Sequence, residues 1–431
     1  MKNIKSFVIL LAMLALGQMA WAQFGGGSGT EDDPYIIKSD YHWQVFANNI
    51  IGTNSEHYAS AYYRLDADIR VEVMAGNYDR PFKGTFDGNG HYIDTWLGSS
   101  DGYSGPFNYI EGATIKNLTI HDGSFSCYNQ YFGGLVGQIK GGNNTILNCH
   151  VDNKTDIYLY YNGNGFTGGF VGIIKSGSTT TIKGCLFEGN LKSKNENYRQ
   201  CAGFVGYKED YSNFTMEDCL FNPNQYETTV NPEGSATFII NQAGPCYLQN
   251  TYYSWNLGYI QGTKAYVINH SEGITFSGDN VVTACVRTMA SEGAVVTIDA
   301  VEGYTYVVTT SDNTSIPIIN NQFTMPASDV TVTKTAADYA IGVSGTEDDP
   351  YIIYTTGQLD LLASRVGSGT SYSGKYFKMG ADITVNNMIG DNSHQFSGTF
   401  DGNGHILTFN RNTTEQYCEI EIGRASCRER V

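Results

Sequence analysis

Nine cysteines, eight histidines and two acidic triplets are the residues of this chain that could do chemistry. Three of the cysteines keep step. Cys149, Cys185 and Cys219 fall in TILNCHV, TIKGCLF and TMEDCLF, so they occupy the same place in successive copies of one short pattern. Thiols in such a series could pair, bind a metal or form a row of small buried groups. In-register parallel strands hold equivalent Cβ atoms about 4.8 Å apart, wider than good disulfide geometry allows. The spacing therefore predicts a ladder of buried free thiols. No CxxC pair is present, so zinc-site and thioredoxin-type readings lack support.

The histidines are His42, His57, His91, His121, His150, His270, His394 and His405, and they make no HExxH. GxSxG is also missing, which removes support for a nucleophile-elbow hydrolase. Glu31-Asp32-Asp33 and Glu347-Asp348-Asp349 could offer oxygens to calcium, but each run abuts a proline, Pro34 or Pro350, as turn residues do. Asp87-Gly88-Asn89-Gly90 opens like a calcium loop without the later EF-hand ligands, and reads as a strand-joining turn. No catalytic set and no cofactor motif emerges. The binding candidates are aromatic: a loop carrying Tyr158, Tyr160 and Tyr161, whose flat faces and polar tips suit sugar rings or protein surfaces. Alternate tyrosines could equally fill an interior, a question that Tyr198 and Tyr226 also raise.

The elements that position these residues come from duplication. SGTEDDPYII at Ser28–Ile37 returns at Ser344–Ile353, and GTFDGNGH at Gly84–His91 returns at Gly398–His405. After each DDPYII strand stands a helix cap, Ser39 or Thr355, with Gln358 placed to complete a capping box in the second copy. Trp43, Phe46, Ala47 and Ile50, and then Leu359, Leu362, Ala363 and Val366, follow the spacing of one helical face. Between the copies GGLVG, GGFVG and AGFVG recur at Gly133, Gly168 and Ala202, with a worn ATFII at Ala236; the period is about 34 residues. The strands that follow the repeats, with an earlier relative TIKNLTI at Thr114–Ile120, stack Asn117, Asn148, Gly184, Asp218 and Asn250 in one column. These residue types tolerate the left-handed conformation, so the column predicts a repeated sharp bend.

Fifty glycines, 31 tyrosines, only nine prolines and 16% charged residues fit an all-β protein. The formal charge of −17 repels phosphate backbones and argues against nucleic acid. Lys2 and Lys5, the apolar Phe7–Leu16 and Ala20-Trp21-Ala22 before Gln23 read as a cleaved signal peptide, hence a secreted or outer-surface protein with no membrane-spanning segment. Glu421–Val431, EIGRASCRERV, breaks with the rest of the chain and looks like a sequencing adapter in translation, implying a truncation near Ile420.

GGLVG, GGFVG and AGFVG resemble the GLUG-motif repeats of bacterial adhesin-like surface proteins and of the N-terminal regions of some IgA-cleaving metallopeptidases. SGTEDDPYII with GTFDGNGH resembles the cap and first coils of such proteins, and FTMPASDVTV at the end of the middle segment is similar to listeria–bacteroides-type bacterial repeat modules. The resemblance implies export and a multidomain surface architecture, and carries no catalytic residues. The expected fold is an all-β right-handed parallel β-helix with an N-terminal capping helix, a small β-sandwich-like module, and the start of a second β-helix. The segments are 1–22, signal peptide; 23–257, β-helix; 258–335, β-sandwich-like module; 336–420, second β-helix; and 421–431, adapter. The expected function is a surface adhesin-like binding or scaffold role toward glycans or host and matrix proteins, without catalysis or cofactor in this segment. The alternative is the non-catalytic front of a larger secreted metallopeptidase or polysaccharide-degrading enzyme.

Overall fold

The computed structural model describes residues 23–99, 103–127, 131–159, 165–193, 200–224, 228–230, 233–241 and 243–409. Its contacts divide the chain into two compact units. The first holds residues up to 268 with 278–294 and 325–329; the second holds 269–277, 295–324 and the chain from 330 on.

The first unit is a parallel β-helix. Two eight-stranded and three four-stranded sheets run along it; four central coils contribute one strand to each of the five faces in turn, and the coils at either end add strands to the two long sheets only. One coil shows the order: Thr114–Lys116 on the first face, Thr119–His121 on the second, Ser124–Cys127 on the third, Tyr131–Gly133 on the fourth and Val136–Gly141 on the fifth. Asn143–Leu147 then returns to the first face and pairs in parallel with Thr114–Lys116. Side chains alternate along each strand. Ile115, Ile146, Ile182 and Met216 therefore form one inward row. Phe170 stacks on Phe204 at 4.8 Å, and Phe187 on Phe221 at 5.5 Å.

The glycine repeats are explained by close approach. A Cβ on Gly134, Gly169 or Gly203 would lie 2.0–2.3 Å from a carbonyl oxygen of the next coil. Only glycine lets the fourth face turn into the fifth at this height.

Helix α1, Asp40–Ile51, begins at Ser39, whose hydroxyl accepts the His42 N–H at 3.4 Å. It buries Trp43, Phe46, Ala47 and Ile50 against the first coils. Trp43 meets Phe86 and Phe107 edge-on, and its indole N–H donates to the Val73 carbonyl at 2.8 Å. The helix thus covers the apolar end of the first coil. A short helix α2, Ser55–Ala59, follows.

A hairpin, Val281–Ala284 with Arg287–Ala290, also belongs to this unit. It places Val282, Ala284 and Met289 in one cluster with Leu186, Leu220 and Tyr252. Those three occupy the same outward row of the second face, which would otherwise expose an apolar strip.

In the second unit, helix α3, Thr356–Gly367, repeats α1. The Thr355 hydroxyl accepts the Gln358 N–H at 3.1 Å, while Gln358 Oε1 accepts the Tyr354 N–H at 2.8 Å. The box closes one residue earlier than the standard arrangement. Tyr351–Ile353, Tyr376–Met379 and Thr399–Asp401 form a parallel sheet, and Ile383–Val385 pairs in parallel with Leu407–Phe409. Two antiparallel arrangements complete the unit: Tyr304–Thr310 with Val330–Ala336, and Val295–Ile298 between Phe276–Ser277 and Gln322–Thr324.

Candidate functional site

The left-handed column sits at the corner between the first and second faces. Asn117, Asn148, Gly184, Asp218 and Asn250 have φ of 53°, 50°, 62°, 54° and 49°. Their side chains bond along the axis: Asn117 Nδ2 donates to Asp87 Oδ1 at 2.9 Å, Asn148 Nδ2 to Asn117 Oδ1 at 3.5 Å, and Asn250 Nδ2 to Asp218 Oδ1 at 3.1 Å. Asp87 also accepts the Asn89 N–H at 2.8 Å and pairs with Lys116 at 3.2 Å. Its oxygens hold a turn.

Next to this column lie Cys149, Cys185 and Cys219, all buried and free. Each thiol donates to the carbonyl two residues earlier, Leu147, Lys183 or Glu217, at 3.2–3.4 Å. Burial pushes the Cys185 thiol well up, which keeps it protonated and unreactive. Cys285, at the hairpin turn, places its Sγ 3.5 Å from the carbonyls of Cys149 and Gly184. As a residue it is exposed, yet burial of the sulfur pushes its thiol up to about 12.

Tyr158 lies on the strand Asp156–Leu159, not in a loop, and alternates with the buried Ile157. It therefore faces outward, half-buried, in register with Ser126 and Lys192. Tyr160, Tyr161, Tyr198 and Tyr226 lie outside the described residues. Beside Tyr158, Asp156 pairs with Lys192 at 2.9 Å and accepts Asn190 Nδ2 at 2.7 Å.

The second face carries an outward row not read from the sequence. Arg70, Asp94 and His121 stand in register there. His121 Nδ1 is 2.7 Å from Asp94 Oδ1, and Lys154 Nζ is 3.0 Å from His121 Nε2. Lysine can only donate, so Nε2 accepts and the Nδ1 proton points to Asp94. Tyr92 lies over His121 with ring centroids 4.4 Å apart. Asp68 is the main reason the half-buried Tyr92 sits above its usual pKa. Trp96, 57% exposed, carries the Arg70 guanidinium 4.9 Å from its ring centroid, and Arg70 is held by Glu72 at 3.1 Å. A lone tryptophan has no period, which is why pattern reading passes over it.

Asp68 also clamps the repeated turn. It lies 3.0 Å from His91 Nδ1 and accepts the Tyr92 N–H at 3.1 Å; in the second copy Asp382 does the same for His405 at 3.2 Å and the Ile406 N–H at 2.9 Å. That recurrence marks both histidines as turn residues.

Further along the face, Glu188 is buried and bonded on every side. It meets His150 Nε2 at 3.1 Å, Asn222 Nδ2 at 3.0 Å, and Arg287 through Nε at 2.8 Å and Nη2 at 2.7 Å. Desolvation alone would raise its pKa. The His150 bond, the Arg287 charge and the Asn222 bond outweigh that and hold the carboxyl below its ordinary value. Arg287 thus fastens the hairpin to the coils.

Among the described residues no group of three or more His, Cys, Asp or Glu is placed to hold a metal ion, and no helix is long and apolar enough to cross a membrane. No protein-family model matches the chain. A protein of Evansella cellulosilytica, named as a Gly-rich membrane protein, is 28% identical over 155 residues; the match covers 33% of this chain and 17% of that protein's length. A crystal structure from Bacteroides ovatus, named as an immunoglobulin A1 protease, superposes with a TM-score of 0.38 at 16% identity, covering 54% of this chain and 78% of that one.

Proposed function

We propose that this chain is an exported surface protein whose rigid β-helix presents ordered outward rows to a partner, a glycan or a matrix protein, and does not itself turn that partner over. The observation that carries this reading is the second face. Coils in register hold outward groups at a fixed rung spacing of about 4.8 Å, and an exposed tryptophan stands among them. Ordered aromatic and polar rows on a scaffold that needs no closure suit recognition. The ionisable pairs on this face support the same reading. Asp68–His91 has a counterpart in Asp382–His405, and Glu188–Arg287 ties down a hairpin, so these carboxylates have structural work.

Export is tested by N-terminal analysis of the envelope and medium fractions, with Gln23 expected as the first residue. A cytoplasmic product keeping Met1 would defeat it. Binding is tested on a glycan and matrix-protein array. Depolymerised polysaccharide or cleaved protein, abolished by changing one acidic residue, would replace the binding reading with an enzymatic one.

A further inference from the structure

We propose that Trp96 and its neighbours on the second face form a binding site for an extended neutral oligosaccharide lying along the β-helix axis. The inference rests on the surface-binding reading above and narrows it to one site and one ligand chemistry.

Tyr92, Asp94 and Trp96 alternate with the inward Ile93 and Thr95, so all three project from the same face. Trp96 stays 57% exposed even with Arg70 against its ring. Arg70 is held at both ends: its backbone N–H donates to Asp40 Oδ1 of α1 at 2.8 Å, and its guanidinium meets Glu72. The indole is thus presented by a rigid surround, and little ordering is left to do on binding. Next to it on the same face the Asp94 side chain remains 34% exposed, and Asp68, at the Tyr92 end of the strand, 45%. An aromatic platform takes the C–H face of a pyranose ring, and neighbouring carboxylates accept its hydroxyl protons. Along the axis the outward row Arg70, Asp94 and His121 sets one polar side chain per coil at about 4.8 Å, comparable to one sugar unit along a chain. The same carboxylates, on a chain of net charge −17, disfavour sialylated and uronate ligands.

The duplicated module is an internal comparison. The second copy keeps what the turn needs, Asp382 and His405. At the positions of Arg70, Tyr92, Asp94 and Trp96 it has Thr384, Ile406, Thr408 and Asn410. The coil therefore does not require the platform, and the first copy carries it for another purpose.

Among the described tryptophans Trp43 is fully buried and Trp255 partly so, which makes emission sensitive to a ligand at Trp96. The full chain is titrated with cellotetraose, chitotetraose and lacto-N-tetraose, with sialyllactose and a galacturonate oligomer as anionic probes. At least one neutral oligosaccharide is expected to change the emission saturably. Trp96→Ala should weaken that ligand tenfold or more by calorimetry at an unchanged melting temperature, and Tyr92→Ala severalfold. Tyr247→Ala, an exposed aromatic elsewhere, should change nothing. No neutral ligand in the panel, tighter anionic binding, or affinity that survives Trp96→Ala would each overturn the site. Array binding to a matrix protein that ignores Trp96→Ala would remove this site yet leave the surface-binding reading standing.

Discussion

Gly184 is where two constraints meet. Its φ is 62°, and a Cβ there would lie 2.5 Å from Asn148 Oδ1. Gly184→Val should therefore cost about 1–3 kcal/mol, read as a lower urea midpoint. Gly184→Asn matches the backbone habit of its sister positions and should lose less, since only the Asn148 side chain must move. The three inward thiols make a second residue-level prediction. Cys149, Cys185 and Cys219 should resist alkylation until the protein is denatured, while Cys285, an exposed residue at the hairpin turn, should be the first of the four to label on partial unfolding; mass spectrometry separates the four sites. The bend column was legible in the sequence because few residue types accept a positive φ. The second-face cluster was not. The partnerships of Asp68 with His91 and of Asp94 with His121 span 23 and 27 positions and exist only once coil register is known. The strand position of Tyr158 is not legible either, because nothing in its own neighbourhood signals the pairing with Ser124–Cys127.

At the level of elements, α1 and the hairpin close surfaces that a bare coil stack would leave open. Trp43 is fully buried among Phe46, Phe86 and Phe107, so Trp43→Ala should destabilise the first unit by about 3–5 kcal/mol in urea unfolding. The helix itself was readable from the spacing of its apolar residues. The hairpin's docking was not, because Val281–Ala290 alternates like any strand pair and the strip it covers is assembled from separate coils. Its fastening depends on Glu188. A carboxyl held below its ordinary pKa contributes stability above the usual carboxylate range, near 4.3, and loses that contribution as pH falls through its folded value. Hydrogen exchange should show the hairpin amides losing protection ahead of the coil strands on acidification. Arg287→Ala should reproduce that loss at neutral pH, at a cost of about 1–3 kcal/mol, because it strips the charged partner from a buried carboxylate.

Over the whole molecule, the inward rows account for the fold and the outward rows for the proposed role. Repeats revealed the stack because each coil must bury its neighbour's apolar face. They carried no word of a ligand, since a binding surface needs no period. Binding without turnover is the central claim, and calorimetry separates the two in one measurement. The full chain is injected with neutral oligosaccharides, then with collagen and fibronectin. The account predicts heats that saturate at a fixed stoichiometry for at least one of these and return to baseline after every injection. Sustained heat flow proportional to protein concentration, the mark of turnover, would contradict it, as would the absence of any saturable heat across the set.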